Sequence, residues 1–115
     1  MEPVVNIQKS ASYILVQIED SRLSAANAAA LKAQIAPHLT DSDTLLLDLS
    51  NIRFIDSSGL GLLVGLKRSL APSQRCALIG MHQPGLLELM QVTRMDQIFL
   101  ITDNLQSACR RLGLD

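Results

Sequence analysis

The chain has 115 residues and a formal net charge of −1, and 48% of its residues are hydrophobic and 18% charged. This length fits one folded domain over residues 1–115, and the hydrophobic fraction excludes a disordered chain. The near-neutral charge and the aromatic content of only 3% argue against binding to nucleic acid or to an anionic membrane. No apolar run reaches the length of a transmembrane helix.

The chain opens with two apolar runs that predict an antiparallel hairpin. Residues 4–7 and 13–18 are predicted as strands, and residues 9–12 as the turn between them. Ser24 is a favoured residue for a helix N-cap, so a first helix is predicted over residues 25–36. Its apolar side chains recur at helical spacing, which indicates one buried face.

The middle of the chain predicts a central strand, a second helix and another strand. Pro37 is expected to end the first helix. Residues 44–49 are almost all apolar, which is typical of a strand that is covered on both faces. A second helix is predicted to begin within residues 56–59 and to end near Leu70. Residues 76–81 form another apolar run and predict a buried strand.

The remaining segment predicts two more helices around a short strand. A helix is expected to begin at Pro84, and residues 98–101 are predicted as a strand. Thr102 or Asp103 is predicted to cap the last helix, which Gly113 ends. The predicted fold is therefore a single α/β domain. Its opening hairpin leads into parallel β-α units, with about five strands and four helices in all.

Cysteine usage and the start of the chain predict a cytoplasmic protein. Cys76 and Cys109 show no metal-binding or redox spacing and are expected to be small buried hydrophobic residues. Residues 1–3, Met-Glu-Pro, are unlike the basic start of a secretory signal. We therefore expect a reducing compartment, no metal and no cofactor.

One strand-to-helix corner holds the residues that are the best candidates for a functional site. Ser57 is predicted as the N-cap of the second helix, where its hydroxyl would be exposed at the positive end of the helix dipole. Phosphorylation there would add about −1.5 to −2 charges without unfolding the domain. Gly59 and Gly61 remove side chains from the same corner, so they would let this helix pack closely or let a partner approach it.

This corner resembles the signature of the STAS domain in bacterial anti-sigma-factor antagonists. The resemblance lies in residues 47–49 and 52–55 and in the stretch Asp56-Ser57-Ser58-Gly59-Leu60-Gly61. It implies a regulatory binding protein rather than an enzyme. Ser57 would be phosphorylated by an anti-sigma-factor serine kinase and dephosphorylated by a serine phosphatase. The unphosphorylated form would bind the kinase and release its sigma factor.

The resemblance also implies a partner-binding surface around the phosphorylated serine. It would comprise Ser24, Asn27, Asp56, Ser58, Gly59 and Gly61. Members of the family often carry Gly-x-Leu-Asp before the first helix, whereas this chain has Ser21-Arg22-Leu23-Ser24. A serine therefore stands in place of that acid, and an arginine lies beside it.

Four alternative interpretations are open from the sequence, three of them at the same corner. The chain could be a STAS interaction subunit of a stress complex or a lipid transporter, with a partner that ignores Ser57. Ser58, expected at the first helical position, could be a second phosphorylation site. A small serine hydrolase could pair Ser57 with His82, although the local sequence lacks Gly-x-Ser-x-Gly. Met90 and Met95 could line an exposed groove.

Overall fold

A computed structural model describes residues 4–114 of the chain; residues 1–3 and 115 lie outside the described part. Seven strands and four helices occur among these residues. The strands are β1 (Val5–Lys9), β2 (Ile14–Ile18), β3 (Arg22–Leu23), β4 (Thr44–Asp48), β5 (Phe54–Ile55), β6 (Arg75–Ile79) and β7 (Leu100–Thr102). The helices are α1 (Ala28–Ile35), α2 (Ser57–Ser69), α3 (Pro84–Val92) and α4 (Leu105–Leu112).

The main sheet has five strands in the order β1-β2-β4-β6-β7. β1 pairs antiparallel with β2, and every other neighbouring pair is parallel. The predicted α/β architecture with an opening hairpin is therefore confirmed. β3 and β5 form a separate two-stranded parallel sheet that periodicity did not reveal.

Successive side chains of a strand point to opposite faces of the sheet, so the core is divided between the two faces of the main sheet. One face of β2, β4 and β6 packs against α1, α2 and α3, and its buried side chains include Val16, Leu47 and Leu78. The opposite face carries Leu46 and Ala77 and packs against α4. Because β4 is buried on both faces, it reads in sequence as a continuous apolar run.

Several predicted boundaries were wrong by a few residues. α1 begins at Ala28 rather than Ala25, and it is followed by a short 3-10 turn that contains Pro37. The last strand covers Leu100–Thr102 instead of residues 98–101. Asn104, and neither Thr102 nor Asp103, caps α4, because its side-chain oxygen accepts from the Ser107 amide. Gly113 ends α4 with a φ of 71°, as predicted.

The two cysteines differ in burial. Cys76 is buried in the main core, and this burial raises the pKa of its thiol to about 12. Its role as a small hydrophobic residue matches the expectation. Cys109 is only half-buried on α4. No helix in residues 4–114 has the length and apolarity to cross a membrane.

Candidate functional site

The β3–β5 sheet builds the corner from which α2 departs. The backbone amide of Arg53 donates to the Ser21 carbonyl at 2.7 Å, and that of Asp56 donates to the Leu23 carbonyl at 3.1 Å. Leu23 and Ile55 point into the core, whereas their strand neighbours Arg22 and Phe54 are exposed. The start of α2 is therefore held against the segment that precedes α1, and both segments contribute to one surface.

Asp56, and not Ser57, is the N-cap of α2. Its Oδ1 accepts from the Gly59 amide at 2.9 Å, and its Oδ2 accepts from the Ala25 amide at 3.2 Å. The hydrogen bond from Gly59 is the main reason that the pKa of the Asp56 carboxyl lies below its ordinary value. The amides of Ala25 and Ser58 and the charge of Arg22 lower the pKa further, while desolvation opposes them. One carboxylate thus joins α2 to the turn before α1.

Ser57 is the first residue of α2, and its side chain is exposed. Since Asp56 already caps the helix, the Ser57 hydroxyl has no capping role, and in residues 4–114 it forms no hydrogen bond. Ser58 follows as the second helical residue, not the first as predicted, and is half-buried. The two serines therefore differ in access to a partner: the Ser57 side chain is exposed, whereas that of Ser58 is half-buried.

Ser24 and Asn27 form a tight turn, and their side chains bond within the chain. Ser24 is only 8% exposed, and its hydroxyl accepts from the Ala26 amide. The Asn27 amide group donates to the Arg22 carbonyl at 2.7 Å and to Asp20 Oδ2 at 2.9 Å, and its oxygen accepts from the Ser24 amide. Both residues shape the edge next to Asp56, and Ser24 does not cap a helix that starts at residue 25.

The glycines of α2 face different surroundings. Gly59 is buried, and a Cβ added there would lie 2.3 Å from the Leu23 carbonyl oxygen. Gly61 is exposed, and an added Cβ would meet no atom within 4 Å. Gly59 is thus required by the packing of α2 against β3, and a partner does not reach it directly. Gly61 leaves open space on the outer surface of the helix.

Two exposed residues beside Ser57 were not included in the predicted site. The guanidinium of Arg22 lies over the ring of Phe54, 5.0 Å from its centroid, and Phe54 is 44% exposed. β3 and β5 place these residues directly opposite each other. The sequence signal was weak: in Arg22-Leu23 and in Phe54-Ile55, one outward residue precedes one buried residue. Such a two-residue pattern has no detectable period.

The structure does not pair Ser57 with His82. His82 is exposed at the rim of a cavity of about 340 Å³, which is also lined by Asp48, Gly80 and Asp103 but not by Ser57. No hydrogen bond joins the two side chains within the described residues. A nucleophile and its base need to lie within hydrogen-bond reach, so this arrangement does not favour a hydrolase.

The remaining minor prediction concerned the methionines. Met90 is 1% exposed and Met95 is 4% exposed, so both belong to the core and the predicted exposed groove is wrong. Among residues 4–114, no three histidine, cysteine or carboxylate side chains are grouped as metal ligands.

The arrangement at the start of α2 consists instead of a free hydroxyl, a fixed carboxylate and an exposed cation–aromatic pair, which suits recognition by another protein.

Comparison with protein families identifies the domain. Residues 8–103 match the family model described as "Mlab, STAS domain". The chain belongs to this STAS family. The match includes β3, β5 and the complete α2 helix, so the corner described above lies inside the STAS domain.

Solved structures support the same fold. An anti-sigma factor antagonist from Mycobacterium paratuberculosis is 20% identical with a TM-score of 0.85, and the alignment covers 96% of this chain and 93% of that one. A STAS domain protein from Planctomyces limnophilus is also 20% identical with a TM-score of 0.85, covering 95% and 97%. The Bacillus cell fate determinant SpoIIAA in its phosphorylated form is 18% identical with a TM-score of 0.69, covering 95% and 99%.

Proposed function

We propose that this STAS domain is an anti-sigma-factor antagonist whose binding is controlled by phosphorylation of Ser57. In its unphosphorylated form it binds an anti-sigma-factor serine kinase, which then releases its sigma factor. Phosphorylation by that kinase ends the binding, and a serine phosphatase restores it. The proposal treats residues 1–115 as one regulatory domain that acts in the cytoplasm without catalytic activity of its own.

The observation that carries the proposal is the free Ser57 hydroxyl on the first residue of α2. Asp56 already caps the helix, so modification of Ser57 breaks no hydrogen bond of the described chain. Apart from the Asp56 carboxylate at the N-cap, the first turn of α2 contains no acidic residue, and a helix N-terminus favours negative charge. A phosphate can therefore be added without unfolding the domain, and it changes the surface that a partner meets.

The proposed partner surface surrounds Ser57. Gly61 and the half-buried Ser58 lie on the exposed side of α2, whereas Asp56, Gly59, Ser24 and Asn27 hold the corner in shape. A phosphate of about −1.5 to −2 charges would add bulk and like-charge repulsion against acidic groups of a docked protein. A loss of about 2.8 kcal/mol would weaken the complex about a hundredfold.

The test compares wild-type protein with Ser57→Ala and Ser57→Asp as baits in lysate of the native host. Mass spectrometry identifies each retained protein, and the purified partner is then titrated against each bait. We expect a kinase of the anti-sigma type to be held by Ser57→Ala and lost by Ser57→Asp. With ATP, that kinase should phosphorylate the wild type and leave Ser57→Ala unmodified.

Gln83→Asp is the matched control for added charge. Gln83 is exposed at the N-cap of α3, where its side chain makes no capping hydrogen bond, so this variant also places a carboxylate at a helix N-terminus. It should bind the partner like the wild type. Thermal unfolding should show a Tm for Ser57→Asp close to that of the wild type, because the helix dipole favours the new charge while the adjacent Asp56 carboxylate repels it. Loss of binding by both Asp variants would contradict the proposal.

A second candidate function is a STAS interaction subunit of a larger complex, such as a lipid transporter, whose partner ignores Ser57. The family description "Mlab, STAS domain" favours it, as does Ser24 in place of the acid that antagonists often carry. This alternative predicts one partner that is held equally by the wild type, Ser57→Ala and Ser57→Asp. The same three baits therefore distinguish the two functions.

A further inference from the structure

The main sheet has an open edge at β1. Among residues 4–114, β1 pairs only with β2, through five consecutive residue pairs without a bulge. Proteins usually protect such an edge with a very short strand, a bulge, a proline or a charge, because its free backbone groups can pair with another strand. The opposite edge strand, β7, has only three residues. β1 has five and contains no proline, and its single charged residue, Lys9, forms an ion pair with Asp41 at 2.7 Å. β1 is therefore the less protected edge.

Every second residue of β1 directs its backbone groups to this open edge. In an antiparallel pair, successive residues direct their N–H and C=O groups alternately toward the partner strand and away from it. The Val4 carbonyl accepts at 2.9 Å from the amide of Glu19, directly after β2, so residue 4 bonds toward β2. By this alternation, Asn6 and Gln8 also bond to β2. The residues whose N–H and C=O groups point to the open edge are then Val5, Ile7 and Lys9.

We infer that β1 pairs antiparallel with β1 of a second copy of this chain, with Ile7 opposite Ile7 on a two-fold axis. In this register Val5 of each copy lies opposite Lys9 of the other. Every outward-pointing residue then faces an outward-pointing residue, and each facing pair exchanges two backbone hydrogen bonds. The two five-stranded sheets become one continuous sheet. This inference does not rest on the proposed function.

The side chains of β1 fit this register on both faces of the sheet. Val5 and Ile7 are half-buried against the main core, so Ile7 meets Ile7 and Val5 meets the alkyl stem of Lys9 on that face. On the other face, Asn6 meets Gln8 of the second copy. Both are exposed, and their amide groups can bond each other across the strands. Neither face sets like charges opposite each other within β1.

Shifted registers fit less well. Outward-pointing residues face one another only if one strand moves by an even number of residues. A shift of two residues in one direction sets Lys9 opposite Pro3, which has no N–H group to donate. A shift in the other direction sets Val5 opposite Ala11, which lies in the turn after β1. Only the register centred on Ile7 uses the whole strand, and this self-complementarity favours a second copy as the occupant of the edge.

The test measures the molecular mass of the full chain by sedimentation equilibrium at concentrations up to about 1 mM, since a short edge contact forms a weak dimer. We expect a dimer whose fraction rises with concentration. Asn6→Lys combined with Gln8→Lys sets like charges opposite each other in the dimer, and so does Asn6→Glu combined with Gln8→Glu. Each double variant should weaken self-association at least about tenfold, and an equimolar mixture of the two should restore it as a heterodimer.

Gln91→Lys combined with Gln97→Lys is the control for added charge. Both residues are exposed, in α3 and in the short 3-10 turn that precedes β7 at the other edge of the sheet. This variant should self-associate like the wild type. Because Asn6 and Gln8 are exposed, their variants should keep a Tm close to that of the wild type, so that loss of the dimer is not loss of the fold. A chain that stays monomeric at every concentration would overturn the inference, as would equal weakening by the control.

Amide hydrogen exchange, followed by NMR, locates the contact on the strand. The amides of Asn6 and Gln8 should be protected at every concentration, because they bond to β2 within one chain. The amides of Val5, Ile7 and Lys9 should exchange rapidly in dilute solution and slowly once the dimer forms. Protection of Ile7 that is independent of concentration would show that the edge is covered within one chain. A dimer that leaves Ile7 unprotected would use another surface, and either result would overturn the inference.

Discussion

The inner and outer sides of the first two turns of α2 are built from similar residues under different constraints. On the inner side, Gly59 contacts the β3 backbone, and Leu62 and Leu63 enter the main core. On the outer side, Ser57 carries a free hydroxyl and Gly61 adjoins open space. The inner residues are explained by contacts within the chain. The outer residues have no such explanation.

That difference shows which features of the corner the contacts within the described chain leave unexplained. A glycine inside a helix is less favourable than alanine by about 0.5–1 kcal/mol, because it gains no side-chain contact and loses more backbone freedom on folding. At Gly59 this cost is offset by the close approach of β3. At Gly61 nothing in the described chain offsets it, which agrees with a surface kept smooth for another molecule.

The largest effect is expected for Gly59→Ala, which tests the inner side. The new Cβ would lie 2.3 Å from the Leu23 carbonyl oxygen and 2.7 Å from the carbonyl carbon, so backbone must move. Overpacking of this kind costs about 3 kcal/mol, of which better helix propensity recovers about 1. We expect a clear loss in the free energy of unfolding, measured by urea denaturation.

Gly65→Ala is the control for this prediction. A Cβ at Gly65 would lie 3.3 Å from Nζ of Lys32, the mobile end of a long side chain that is free to shift. The variant should therefore match or exceed the stability of the wild type. Equal destabilisation by both substitutions would mean that the α2 helix, rather than its contact with β3, is sensitive to alanine.

The sequence predicted the long elements of the fold but not the short strands that build the corner. The five main strands and four helices were predictable because each lies in a recognisable apolar run, as in residues 44–49, or in a periodic apolar pattern. β3 and β5 have two residues each and depend on pairing between distant segments. The Arg22–Phe54 contact could therefore not be predicted from the sequence, although each residue lies two positions before a predicted site residue (Ser24 and Asp56).

The N-caps of α1, α2 and α4 were predicted by residue type but placed at the wrong residue, whereas Gly113 was placed correctly at the end of α4. Asp56 and Ser57 are both favoured caps, and only the geometry of the β5–α2 connection selects the carboxylate. Similarly, Ser24 begins a turn whose bonds are completed by Asn27, which delays α1 to Ala28. In both cases, side chains that bond the local backbone compete closely, and tertiary contacts decide between them.

A smaller loss of stability is expected for Asp56→Asn, which tests the hydrogen bonds that join the start of α2 to the turn before α1. Asparagine retains an oxygen that can accept from the Gly59 amide, but it loses the charge and sets an NH₂ group against the Ala25 amide. The Tm at neutral pH should fall, and binding of the partner should weaken because the Ser24–Asn27 turn is released. Asp43→Asn changes an exposed acid outside this corner and should leave both unchanged.

The pH dependence of stability gives an independent measurement on the same carboxylate. The pKa of Asp56 in the folded chain lies below its unfolded value, so its stabilisation is fully present above about pH 4 and is lost as the pH falls through the folded pKa. Asp56→Asn should remove this part of the acid sensitivity. The Tm difference between wild type and variant should therefore shrink as the pH is lowered. A constant difference down to acid pH would contradict the role of the ionised carboxylate.

The smallest change in stability, with the opposite sign, is expected for Gly61→Ala. Because an added Cβ meets no atom within 4 Å, the variant should gain about 0.5–1 kcal/mol of stability from better helix propensity. The same methyl group would stand on the proposed partner surface, so affinity should fall while stability rises. Calorimetric unfolding and titration with the purified partner measure the two effects on one preparation. If affinity were unchanged, the outer side of α2 beyond Ser57 would not belong to the proposed partner surface.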